Sequence, residues 1–118
     1  MRDRGNISLG KGPAISLFSF HGRGTLNGVI PHPALVKLFE KTALQNKIPL
    51  QKSAHSGALT DLSYVQLVGK GVACIDVGFP MRYSHSSLEI CDLNDLIQLT
   101  KLLGEVLDNI DGKIDLNR

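Results

Sequence analysis

Apolar and polar positions change rhythm several times along this chain, and each change marks an element. Ala14 to Phe20 carries apolar residues at both parities, as a strand buried on two faces would. Pro31-His32-Pro33 then opens a helix, with Pro33 suited to the first helical position, where a missing N–H costs nothing. Leu35, Leu38, Phe39, Thr42 and Ala43 form its inward stripe. Pro49 closes that region and starts a short strand through about Ala54. A loop from Gly57 to Asp61 leads into a short helix, Leu62 to Val68, which Thr60 or Asp61 is placed to cap. Gly69-Lys70-Gly71 turns the chain into a strand from Val72 to Phe79. Asp92 caps a last helix, whose Leu93, Leu96, Ile97, Leu103, Val106, Leu107 and Ile110 keep helical spacing, and Asp95 in its first turn suits the helix dipole. The order β-α-β-α-β-α predicts an α/β fold with largely parallel strands.

Composition bounds this picture. At 118 residues, 42% hydrophobic and 20% charged, the chain amounts to a single domain able to bury a modest core. A net charge of +2, with Lys and Arg scattered, argues against nucleic acid as a partner. No apolar run approaches the roughly 20 residues that span a bilayer, so no membrane is expected. Arg2, Arg4, Lys11 and Arg23 make the beginning mildly basic, and residues 1–12 are expected to be mobile. Cys74 and Cys91 lack a CxxC spacing and read as free thiols of a reducing, cytoplasmic compartment. His21-Gly22-Arg23-Gly24 reads as a turn, since no lysine-serine/threonine pair follows to make a phosphate loop.

The candidate chemistry lies in Gly78-Phe-Pro-Met-Arg-Tyr-Ser-His-Ser-Ser-Leu-Glu89, where a histidine flanked by hydroxyl residues follows an apolar run. A strand end holds the backbone rigidly, so His85 can present an imidazole to a cation beyond it. The competing reading is a hydrogen-bonded structural histidine. His21, His32 and His55 are too scattered to join it in one site, His32 standing at a helix start and His55 in a loop.

Thr60-Asp61, Val65-Gln66-Leu67, Gly71-Val72, Phe79-Pro80-Met81-Arg82-Tyr83-Ser84-His85-Ser86, Glu89 and Asp92-Leu93 occur in an order that resembles the C-terminal part of the tetrahedral aminopeptidases, also labelled glutamyl aminopeptidases or cellulase M. Leu9-Gly10-Lys11-Gly12-Pro13 and Pro31-His32-Pro33 extend the resemblance over roughly residues 8 to 110. It implies a small three-layer piece of a zinc-peptidase-like fold, the C-terminal portion of a metallopeptidase catalytic domain. The chemistry implied is hydrolysis of N-terminal residues of short peptides by a divalent metal pair, zinc or cobalt. On this resemblance His85 is a metal ligand, and Thr60, Asp61 and Arg82 shape the substrate side.

The resemblance also implies groups that this chain does not carry. Such a site takes histidine, aspartate and glutamate ligands and a glutamate base, whereas Glu40, Glu89 and Glu105 are the only glutamates and none adjoins another. The surroundings of Asp3 do not match a ligand motif, so no catalytic residue is assigned. Tight metal binding and turnover are therefore not expected of the chain alone. The alternative is a non-catalytic fragment or degenerate paralogue that binds a partner, and loss of neighbouring strands predicts a homo-oligomer.

Overall fold

The computed structural model describes residues 7–20, 28–56 and 60–117, side chains at 55 and 56 excepted. Arg2, Asp3, Arg4, Leu59 and the His21-Gly22-Arg23-Gly24 turn lie outside the described residues. The centre is β1 (Ala14–Phe20), joined through α1 (Pro33–Gln45) to a parallel neighbour, β3 (Gln51–Ser56). A parallel pair needs such a crossover, because the chain must return to the same end of the sheet. Two short strands complete that sheet, β2 (Gly28–Val29) and β4 (Val77–Gly78), and both run antiparallel to β1. After α2 (Leu62–Val65) and β4, a separate hairpin of β5 (Met81–Arg82) and β6 (Ile90–Cys91) leads into α3 (Leu93–Asn109).

Among the described residues the strands are therefore mixed rather than largely parallel, with one parallel pairing among four. The expected strand from Val72 to Phe79 contracts to Val77–Gly78. Its backbone is parcelled out among different partners: Val72 N–H donates to Gln66 O, Cys74 O accepts from His32 N–H, and Asp76 O accepts from Ser16 N–H. No single neighbour lies alongside it for long enough to make a ladder. The helix expected over Leu62 to Val68 ends at Val65, where turns carry the chain to Gly69 at φ +60°. His55 stands at the end of β3, opposite Ser19, rather than in a loop.

In place of three layers, both long helices share one core. Ile15 of β1 packs with Phe39, Ala43 and Ile48 from the α1 region and with Leu102 and Val106 of α3. At roughly 1.5–3 kcal/mol for each fully buried large side chain, this cluster is the main source of stability. The inward residues of α3 are Asp95, Leu102 and Val106; of the expected stripe Val106 is the buried member, and Leu103 is 39% exposed. On β1 the register slips between Ser16 and Phe18, leaving Leu17 as the extra residue, and Leu17 and Phe18 are exposed. That bulge ends the burial on two faces that the apolar run predicts.

Residues 9–13 are held by a contact from the far end of the chain. The two carboxyl oxygens of the fully buried Asp95 accept Gly10 N–H at 2.8 Å and Gly12 N–H at 2.7 Å. Gly12 has φ +89°, and a Cβ there would stand 2.2 Å from Pro49 O, so only glycine fits. Ser8 is tied as well, through Gln51.

Candidate functional site

The β5–β6 hairpin presents His85. Met81 pairs with Cys91 and Arg82 with Ile90, and the tip between them carries Tyr83 at φ +58° and His85 at φ +63°. Left-handed backbone is costly for side chains other than glycine's and persists only where local contacts hold it. Here Tyr83 O accepts both Ser86 N–H, at 3.1 Å, and the Ser86 hydroxyl, at 2.6 Å. Leu88 N–H donates to Ser86 Oγ, and His85 N–H donates to Glu89 Oε1 at 2.6 Å. The serine and glutamate of the motif thus fasten the tip, while His85 itself is exposed. Its backbone is bonded, but its imidazole makes no hydrogen bond within the described residues.

A buried, satisfied histidine looks different, and His32 supplies the contrast. Its Nδ1 accepts Ala34 N–H, capping α1, and its Nε2 lies 3.2 Å from Asn117 O. With Nδ1 accepting, the proton sits on Nε2 and both ring nitrogens are used.

For metal chemistry the donors near His85 are too few. Glu89 is committed to the hairpin backbone and Asp92 to Asn94 N–H at the start of α3. Among the described residues no three His, Cys, Asp or Glu side chains come together as a metal site. A stable zinc site needs three or four protein ligands, so one imidazole does not fit such a group by itself.

The expected substrate-side residues separate. Asp61 is exposed at the start of α2 and makes no capping hydrogen bond with its side chain. Arg82 is half-buried in β5. Thr60 lies in a cavity of about 250 Å³, where its hydroxyl donates to Asp76 at 3.1 Å; Asp61, Arg82 and His85 do not line that cavity. Asp76 is the residue that sequence reasoning passed over. The available signal was a lone acid inside the apolar run from Val72 to Phe79.

This hairpin, followed by a capped helix and preceded by the glycine turn that Asp95 secures, accounts for the positions of the motif residues. The family model for M42 glutamyl aminopeptidases matches residues 1–102, and the chain belongs to that family. It is 36% identical over 103 residues to SgcX of Escherichia coli, an aminopeptidase by name, covering 87% of this chain and 28% of the relative. A lysyl aminopeptidase of Pyrococcus furiosus is 32% identical over 92% of this chain and 29% of its own length. Among solved structures, a TET aminopeptidase from a Thaumarchaeota archaeon superposes with a TM-score of 0.81 at 26% identity, covering 91% of this chain and 28% of that one. The chain spans between a quarter and a third of the length of these proteins.

Proposed function

We propose that this chain is the His85-bearing part of a dinuclear-metal aminopeptidase acting on short peptides in the cytoplasm, incomplete as a catalyst by itself. The observation that carries the reading is the His85 imidazole, exposed and without a hydrogen-bond partner among the described residues, on a tip whose backbone is otherwise fastened. A structural histidine would spend its ring nitrogens as His32 does. When bound, the metal pair supplies Lewis acidity and a water of lowered pKa. This chain's share is to hold one imidazole in place, through Glu89 and Ser86, with Arg82 in β5 and Thr60 and Asp61 toward the substrate side. The remaining ligands and the base would belong to the rest of a longer protein.

Calorimetric titration with zinc and with cobalt tests the ligand assignment. A single imidazole should give binding on the order of 1 mM, about 4 kcal/mol, lost on His85→Ala. Micromolar binding that survives His85→Ala would place the metal elsewhere.

A second reading is favoured by a particular surface. Leu93, Ile97 and Leu107 of α3 are 71, 66 and 68% exposed, and they recur at helical spacing on one side of the helix. We propose that this stripe is covered by another copy of the chain or by the remainder of a larger assembly. Solved relatives include a dodecamer and a Pyrococcus horikoshii peptidase that assembles into a tetrahedron or an octahedral shell.

A further inference from the structure

The sheet face turned away from the helices carries a feature that the metal-site reading does not use. Ile15 and Val77, opposite one another in the β1–β4 register, turn toward the core. Their neighbours Ala14, Ser16, Asp76 and Gly78 therefore turn to the other face, since side chains alternate along a strand. Ser53, opposite Ser16 on β3, joins them. Four of these five residues are small, so the face is concave, and the resulting cavity of about 250 Å³ has one charged residue, Asp76.

The Asp76 carboxylate is poorly matched there. Two carboxylate oxygens offer about four acceptor sites, and among the described residues the one donor that reaches them is the Thr60 hydroxyl, 3.1 Å from Oδ1 and 3.4 Å from Oδ2. Ile7 and Phe79 supply apolar atoms to the rest of the wall. A half-buried carboxylate with one neutral donor favours a cation carrying several N–H groups. Two hydroxyls add acceptors beside it. Thr60 spends its hydrogen on Asp76, and Ser16 spends its own on Phe18 O, so each oxygen keeps lone pairs to offer.

We propose that the Asp76–Thr60 cavity binds a primary ammonium group on an aliphatic stem, the chemistry of a lysine side chain. The stem lies against Ile7 and Phe79, and the three N–H groups meet Asp76, Thr60 and Ser16. A free carboxylate would take a guanidinium with both oxygens, but here the Thr60 hydroxyl already lies across Oδ1 and Oδ2, at 3.1 and 3.4 Å, so a compact ammonium that needs only single acceptors fits better. As a cation site the proposal stands on the cavity alone; as the pocket that selects a basic residue of a peptide substrate, it rests on the peptidase reading.

The test is an amide-shift NMR titration of the 118-residue chain with N-acetyl-lysine amide, set against the norleucine and arginine counterparts. The expected result is saturable shifts at Ser16, Ser53, Thr60 and Asp76 with the lysine ligand, and affinity about five-fold weaker for norleucine and for the Asp76→Asn chain. Should Asp76→Asn fail to give a dispersed spectrum, Thr60→Ala serves in its place and should weaken lysine binding while leaving norleucine unchanged. Equal binding of lysine and norleucine would mean an apolar groove only, and equal binding of arginine would overturn the choice of ammonium. No shifts at these residues would overturn the site altogether. None of these results depends on metal or on turnover, so the His85 reading and this one fail separately.

Discussion

Asp95 shows how a single side chain can join parts of the chain 85 residues apart. In sequence it reads as a favourable charge in the first turn of a helix, and its larger role is hidden because its partners, Gly10 and Gly12 N–H, are backbone groups. The clue was its phase. Asp95, Leu102 and Val106 fall at i, i+7 and i+11, the same helical face, and an acid on a core stripe must find donors. Asp95→Ala would leave the buried Gly12 N–H and the part-buried Gly10 N–H without their partner and is expected to cost about 2 kcal/mol in a urea titration. A loss near zero would show that water replaces the carboxyl group and that the turn is held by other means. His32 offers a similar lesson. It was placed at the start of α1 by Pro33, but its service as the cap through Nδ1 was not legible without coordinates.

At the scale of elements, strong local signals survived and those needing a distant partner did not. β1 and the start of α1 were legible because an apolar run and a proline act locally. Asp92 caps α3 as its sequence indicates, through a 2.8 Å bond from Asn94 N–H. The buried face of α3 was read correctly at Val106 and misread elsewhere, because the helix is apolar on more than one side and periodicity alone favoured a stripe that is mostly outward. Leu102 is fully buried and Leu103 is not. Leu102→Ala should therefore lower stability by about 2–5 kcal/mol, and Leu103→Ala by clearly less. Equal losses in paired denaturant titrations would mean that α3 is rotated from the orientation described. The shortened β4 has the same origin as the misread face, since apolar content in Val72 to Phe79 does not reveal whether a neighbouring strand lies alongside.

For the whole molecule, the mixed sheet could not be read from the alternation of strands and helices, because β2 and β4 are two residues long and their direction is decided by tertiary contacts with β1. The candidate site was legible only in part. The hairpin motif pointed to His85, while Asp76 gained its meaning from Thr60, 16 positions away. The exposed Leu93, Ile97 and Leu107 predict association, since an uncovered apolar stripe on a small domain is usually an interface. Sedimentation at micromolar concentration should show a dimer or larger species, and a clean monomer would count against that reading of α3. His85 is proposed to belong to a metal site that this chain does not complete. Hydrolysis of unblocked aminoacyl chromogenic substrates by the purified chain, with added zinc or cobalt and with His85→Ala alongside, tests it most directly. No turnover above the metal blank is expected for either protein, and robust turnover that disappears in His85→Ala would mean that the chain completes the metal site by itself.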